Sequence, residues 1–333
     1  MEELKIFYVD FWKTFEPEDC VFTKILRTKY HVIFDDQNPD FVFCGLSGSG
    51  YLKYRCPRIL FIGEARCPDF NIYDYAIGGD YLTFEDRYLH FPLCMFDRAL
   101  LQKVLDKHTK SDEFYLGKKK FCNYVVSAGG GFRDRRDSIF DTVGTYKKVD
   151  SGGRYRNNLE NGRPVDDKYA FQLDYRFSLA LENASMRGYT TEKIMDAWAA
   201  GTIPIYWGNP YIGQEFNSKA FINAIDYKTP EALVERIREV DENQELYLAM
   251  QREPVFTPES TLYRLTKDDP LAQFLFHIVS QKKQEAYRRS SELSMFGMFY
   301  EYRFKRWDKI EQNKLYRMMQ ETKRKLFGLK KIQ

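Results

Sequence analysis

The stretch TTEKIMDAWAAGTIPIYWGNP, residues 190–210, holds the start of a helix and the whole of a buried strand. Thr190 and Thr191 are both helix N-cap residues by type, since a hydroxyl accepts from the first free N–H groups. The helix expected over Thr191–Ala200 carries Glu192 and Lys193 in its first turn. Thr202–Trp207 follows as a strand with Pro204 inside it, closed by Gly208-Asn209-Pro210. Upstream, Tyr175–Leu181 is an apolar run of strand length. Strand, helix and returning strand make a crossover unit, and such units build parallel sheets.

Working outward, the same pattern recurs. After the basic run Lys118-Lys119-Lys120, Phe121–Ser127 reads as a strand, Ala128-Gly129-Gly130-Gly131 as a turn and Phe132–Val143 as a helix. Pro230–Val240, Gln244–Arg252 and Leu271–Gln281 continue as helices. In the first third, Leu4–Val9, His31–Phe34, Phe41–Cys44 and Arg58–Ile62 read as buried strands, with helices over Thr23–Lys29 and Asp97–His108. Two α/β series of similar size predict two Rossmann-like domains that face each other, with a boundary near 118. The expected division is 1–117, 118–284 and a helical tail over 285–333. In the tail Phe304, Trp307, Glu311, Leu315, Met318, Thr322 and Leu326 recur at 3/4 spacing, mostly apolar and among basic residues.

Composition narrows the classes. The chain has 333 residues, 44% of them hydrophobic and 17% aromatic, enough for packed cores and against wholesale disorder. Its 6 cysteines show neither C-x-x-C nor zinc-like spacing, so free thiols in a reducing compartment are expected. No apolar run approaches the roughly 20 residues of a membrane span, and the acidic start does not read as a signal peptide. The net charge of +3 conceals an asymmetry: residues 282–333 hold 15 Lys and Arg against 6 acids, leaving the remainder net acidic. A basic tail of this kind suits a nucleic acid or an anionic membrane.

Three segments carry the chemistry. Ser127 to Gly131 joins a strand to a helix through glycines, as phosphate sites do, although an ordinary turn has the same form. Asp150-Ser151-Gly152-Gly153-Arg154-Tyr155-Arg156-Asn157-Asn158 offers fixed donors and positive charge to a diphosphate, and in isolation reads equally as a solvated loop. Glu182 to Lys193 is the densest. A Lys in the first helical turn adds charge where phosphate is already favoured, and Glu192 can accept from sugar hydroxyls; capping alone accounts for an acid there.

TTEKIMDAWAAGTIPIYWGNP, preceded by LALENASMRGY, resembles the nucleotide-sugar signature of the α1,3/4-fucosyltransferases of glycosyltransferase family 10. Phe61-Ile62-Gly63-Glu64, with Pro68 to Gly78, resembles the acceptor-side motif of the bacterial members. Asp86-Arg87-Tyr88-Leu89 and Lys147 to Gly153 also match. The resemblance runs from about 58 to 280, is weaker before 58, and finds no family motif beyond 285. It implies a GT-B fold, with the acceptor side N-terminal and the GDP-fucose side C-terminal. It further implies inverting transfer of L-fucose from GDP-β-L-fucose to an N-acetyllactosamine-, lactose- or Lewis-type acceptor, with 1,3 and 1,4 linkages both open.

On this resemblance Glu64 corresponds to the base that takes the acceptor's proton. Arg156 and Lys193 correspond to the residues on the leaving diphosphate, and Glu192 to a ligand of a sugar hydroxyl. Tyr189 and Asn183 would line the nucleotide pocket. Arg154, Ser127 and Gly130 are further donor-site candidates. The chain departs from the family pattern at Leu181, where a Phe is common, and Arg187 has no family counterpart. Metal use is read independently: no D-x-D occurs, and two fixed cations can do the work of a divalent ion, so no metal or cofactor is expected. Another nucleotide sugar on the same fold remains open as the donor. Nucleic-acid binding is not expected from a tail whose bases fall on a helical pattern. The tail is expected to pack on the N-terminal domain near 300–318 and to touch anionic lipid over 319–333. A cytoplasmic enzyme, peripheral on the inner membrane, follows from that reading.

Overall fold

The computed structural model describes residues 1–129, 135–290 and 297–313, together with 316, 318, 319 and 322. Two compact units result, each described separately: Met1–Phe91 with Asp269–Gln333, and Pro92–Asp268.

In the first unit, β1 (Glu2–Val9), β2 (Tyr30–Phe34), β3 (Phe41–Cys44), β4 (Arg58–Phe61), β5 (Tyr75–Gly78) and β6 (Tyr88–His90) form one sheet, with helix α1 (Val21–Arg27) between β1 and β2. The order is β2-β1-β3-β4-β5-β6 and every pair is parallel. Parallel sheets are covered on both faces, which is why FVFC of β3 is buried at every position.

The second unit opens with α2 (Arg98–Leu105) and α3 (Asp112–Leu116). It continues through β7 (Lys120–Tyr124), α4 (Arg135–Gly144), β8 (Val149–Ser151), α5 (Lys168–Gln172) and β9 (Tyr175–Leu181). Then come α6 (Glu192–Ala199), β10 (Ile203–Trp207), α7 (Ile212–Glu215), β11 (Ile222–Asn223), α8 (Pro230–Glu242) and α9 (Gln244–Arg252). Its sheet, β11-β10-β9-β7-β8, is also wholly parallel. Read from its own first strand, it repeats the order of the first sheet. In both, the first and third strands are neighbours, and the chain departs from that point in opposite directions. Such a switch point, at the carboxyl ends of the strands, is where open α/β sheets hold ligands.

The chain returns to the first unit with α10 (Pro270–Val279), α11 (Lys283–Ala286) and α12 (Met298–Gln312). The division therefore differs from the expected one at both ends. It falls at Phe91/Pro92 rather than near 118, because α2 packs on α6 and the Cys94 amide donates to the Thr190 carbonyl, 3.2 Å. The tail, in turn, is no separate segment. Asp74, fully buried, accepts from the Arg288 and Arg289 amides at 2.7 and 3.0 Å, and the Arg289 guanidinium lies 3.1 Å from it. Arg58, 1% exposed, pairs with Glu301 of α12 at 2.9 Å, and the Tyr300 hydroxyl donates to Asp69. The tail near 300 thus packs on the first unit as expected, but through Tyr300 and Glu301: Phe304, Trp307 and Met318, expected to make that contact, are exposed, and Leu315 lies outside the described residues. The tail's segment 320–333, Thr322 apart, lies outside the described residues. So does the expected start of the helix after β7, which is described from Arg135.

Candidate active site

At the switch point of the second unit, β9 is followed directly by Glu182, which is completely buried. Its amide donates to the Trp207 carbonyl at 2.8 Å, continuing the ladder with β10. Its carboxylate accepts from the Thr191 amide (2.7 Å) and hydroxyl (2.8 Å). Thr191 is the N-cap of α6, but its hydroxyl is turned to Glu182 instead of capping the helix. Lys193 Nζ sits 3.2 Å from Glu182 Oε2, 3.2 Å from Glu192 Oε1 and 2.8 Å from Thr191 Oγ1.

The charges set one another. Burial pushes the Glu182 carboxyl up, against the pull of Lys193 and the Thr191 donors. Burial alone would lower Lys193, but Glu182 and Glu192 outweigh it and hold the ammonium above its ordinary value. Burial likewise opposes ionisation of Glu192, and Lys193 and Lys168 reverse it, leaving Glu192 below the usual carboxylate value. A cation is therefore kept charged at the N-terminus of a helix, where its own dipole does not favour it.

The GNP triplet after β10 builds the loop that shapes this cluster. Buried Asn209 accepts from the Gly188 amide at 3.0 Å and donates to Thr190 Oγ1 at 3.2 Å. Gly188 has φ +72°, a left-handed conformation that glycine adopts without a Cβ penalty. A Cβ on Gly208 would stand 2.4 Å from Glu182 Cγ, so this close approach requires glycine.

The loops after β7 and β8 are joined: the Gly152 amide donates to the Tyr124 carbonyl (2.9 Å) and the Tyr155 amide to the Val126 carbonyl (3.1 Å). That brings Ser127 and the Arg154–Arg156 segment to one edge. Arg154 and Ser127 are exposed there. Arg156 has φ +53° and is already engaged, with NH1 3.3 Å from Asp137 and 3.2 Å from Asp141, and its guanidinium 4.3 Å over the Phe140 ring. Asn183 is exposed and Tyr189 buried on the loop between β9 and α6. Gly130 lies outside the described residues.

A cavity of about 490 Å³ opens beside this edge, bounded by Ser185, Trp207 and Pro210, by Ser138 and Thr142 of α4, and by Tyr227. Among the described residues, none of those expected at the donor site lines it. The structure thus gathers Lys193 and Glu192 into one cluster and Arg156 into another. Glu182 is the member that the sequence reading left without a role; the signal for it was an acid directly after an apolar strand, nine residues before a capping Thr.

Glu64 lies in the first unit, in the loop that leaves β4 at the carboxyl edge of its sheet, and is exposed. The Ile62 amide donates to the Ile77 carbonyl at 2.9 Å, and the Arg66 amide to the Glu64 carbonyl at 2.7 Å, shaping the turn. Phe61 stacks parallel to Phe11 at 6.2 Å beneath it.

Residues 6–97 match the N-terminal domain of the alpha-(1,3)-fucosyltransferase FucT, and residues 115–252 match the C-terminal region of glycosyltransferase family 10 (fucosyltransferase). The chain belongs to glycosyltransferase family 10. Similarity to the family therefore begins well before residue 58. An alpha-(1,3)-fucosyltransferase of Helicobacter pylori is 33% identical over 301 residues, 78% of this family 10 chain and 62% of that protein, so the chain spans less than two thirds of that relative. The human GDP-fucose protein O-fucosyltransferase 3 is 34% identical over 123 residues, 34% of this chain and 26% of its own length. A crystal structure of an alpha1,3-fucosyltransferase with GDP superposes with a TM-score of 0.71 at 28% identity, over 87% of this chain and 93% of that one. Another, with GDP-fucose, gives 0.70 at 26%, over 87% and 94%. The expected GT-B class is borne out by these likenesses. No helix among the described residues is long and apolar enough to cross a membrane.

Proposed function

We propose that this family 10 protein transfers L-fucose from GDP-β-L-fucose, with inversion, to a hydroxyl of an N-acetyllactosamine- or lactose-type acceptor, forming an α1,3 linkage. The observation that carries the reading is Lys193, kept charged by Glu182 and Glu192 at the N-terminus of α6. An anionic leaving group is what a cation and a helix N-terminus together accommodate.

In this mechanism the Glu64 carboxylate takes the proton of the acceptor hydroxyl as its oxygen attacks the anomeric carbon. The bond from that carbon to the β-phosphate oxygen breaks on the opposite face, and GDP departs with the electron pair. Lys193 and Arg156 stabilise the charge on the diphosphate. Glu192 binds a sugar hydroxyl, Tyr189 and Asn183 hold the nucleotide, and Arg154 and Ser127 add contacts at its edge. We assign the nucleoside to the neighbouring cavity, whose walls Trp207 and Tyr227 suit a flat base. No metal is required in this reading, and activity should persist in EDTA. The basic C-terminal segment would hold the enzyme peripherally at the cytoplasmic face of the inner membrane, which flotation with anionic liposomes tests by comparing the full chain with one ending at 312.

The deciding experiment offers GDP-fucose, GDP-mannose and UDP-sugars with lactose and type 1 and type 2 acceptors, and reads the product linkage by NMR. Turnover of only the other nucleotide sugars would overturn the donor assignment, and a linkage other than 1,3 the regiochemistry.

A further inference from the structure

We infer that Asp137 and Asp141 of α4 discriminate between the intact donor and the spent nucleoside diphosphate by competing with phosphate for Arg156. This rests on the proposed nucleoside-diphosphate-sugar reading of the site.

Arg156 is placed with care for a residue in a loop. Its backbone is left-handed, which costs a side-chain-bearing residue energy that its surroundings must supply. Those surroundings are specific: Asn157 donates to the Gly153 and Arg163 carbonyls, and Asn158 accepts from the Ser151 amide at 2.7 Å. The guanidinium then meets two carboxylates one helical turn apart, Asp137 and Asp141, while Phe140 lies beneath its face. Asp137 is itself fixed by the Tyr155 hydroxyl, 2.7 Å away. Two carboxylates against one guanidinium leave the cluster net negative, at the edge proposed to receive a diphosphate.

Electrostatics gives that arrangement a use. The Asp141 side chain is 63% exposed, and ion pairs that open to water are weak, so phosphate can displace the carboxylates. The donor's diphosphate is a diester with two charges. The product ends in a phosphate monoester whose second ionisation lies near pH 6, so at neutral pH it carries a third. Lys193 and Arg156 alone would hold the product more tightly than the donor. The two carboxylates oppose the additional charge and recapture Arg156 once the sugar has gone.

The test compares the full chain with Asp137→Asn, Asp141→Asn and the double variant. It measures the GDP product-inhibition constant, the KM for GDP-fucose and, by calorimetry, the GDP affinity. Asparagine keeps an acceptor for Tyr155 and Arg156, and with Asp137 half-buried and Asp141 exposed the fold should persist. In the double variant, GDP should inhibit about three- to tenfold more strongly while donor KM falls by a smaller factor. In an Arg156→Ala background the same substitutions should change the GDP constant much less. Weaker GDP binding in the Asn variants would overturn the inference, since the acids would then be orienting Arg156. Equal changes in both constants, or effects undiminished without Arg156, would overturn it too. Calorimetry separates the two readings. Tighter GDP binding without fucosyl transfer sinks only the choice of sugar, while unchanged GDP affinity with normal transfer sinks only the competition.

Discussion

The two units share one strand order, and each has a largely buried ion pair, one at the carboxyl edge of its sheet and the other at the amino edge. In the second unit buried Glu182 and its partly buried partner Lys193 stand at the carboxyl ends of the strands, at the switch point. In the first the ions stand where β4 and β5 begin: Arg58 opens β4, Asp74 precedes β5, and Arg289 and Glu301 arrive from the end of the chain. At the carboxyl edge of the first sheet the candidate base is exposed instead. The pair at the switch point serves a ligand in the proposed reaction, whereas the same type of pair at the other edge secures the segment around Arg289 and Glu301. For these two pairs, position in the sheet rather than burial separates the two uses.

The sharpest way to break that comparison is at Glu64. Glu64→Ala should lower kcat by about 10²–10⁴, the usual contribution of a general base, and leave GDP affinity within about twofold. Steady-state kinetics and calorimetry check both halves. Retained transfer would remove Glu64 as the base and leave the first unit's carboxyl edge without an assigned chemistry.

The next effect belongs to the other edge. Glu301→Ala leaves Arg58 buried and without its carboxylate, at a cost of up to about 3 kcal/mol. Thermal unfolding should move down by several degrees, with GDP affinity unchanged because the donor candidates belong to the other unit. A variant with wild-type stability would make the clasp incidental.

Lys193→Ala probes the second unit directly. Loss of a charge-assisted contact to phosphate should weaken GDP binding about tenfold to a hundredfold, and leaving Glu182 buried and unpaired should lower stability as well. Adding Glu182→Gln should recover part of the stability but none of the GDP affinity. If affinity returned too, Lys193 would be serving the fold alone.

Much of this was legible in the sequence. Apolar runs place β1, β3, β4, β9 and β10 within a residue or two, because a strand covered on both faces needs continuous hydrophobicity. Residues of β5, β6, β8 and β11 escaped assignment as strands, each being two to four residues long and too short for periodicity to speak. The unit boundary was misplaced for a different reason. The contacts that decide the division join distant residues: Cys94 with Thr190 sets the boundary after Phe91, and Arg58 with Glu301 ties the end segment to the first unit. Counting charge made the tail an appendage; Arg289, 5% exposed, is instead a structural ion of the first unit. Lys193 was legible from its motif, while its dependence on Glu182, and the occupation of Arg156 by Asp137 and Asp141, required coordinates.

The smallest effect concerns the two ends of α6. Lys193 stands at its N-terminus and stays charged because carboxylates surround it. Lys118 meets its other end, donating to the Ala200 carbonyl at 2.8 Å and to the Leu173 carbonyl at 2.6 Å. A helix C-terminus favours a cation, yet burial, reinforced by Lys110, pushes Lys118 down to about 7. Two carbonyls and a helix dipole thus fail to do what Glu182 and Glu192 achieve. The sign follows from proton counts. Between the folded value near 7 and the unfolded value near 10, the unfolded chain binds the extra proton, so stability from this group rises as pH rises through that window. Denaturant unfolding at pH 7 and pH 9 should show the wild type gaining stability relative to Lys118→Met, whose curve lacks this contribution. Parallel pH dependences would mean that Lys118 keeps its proton, and that carbonyls alone can hold a buried lysine charged.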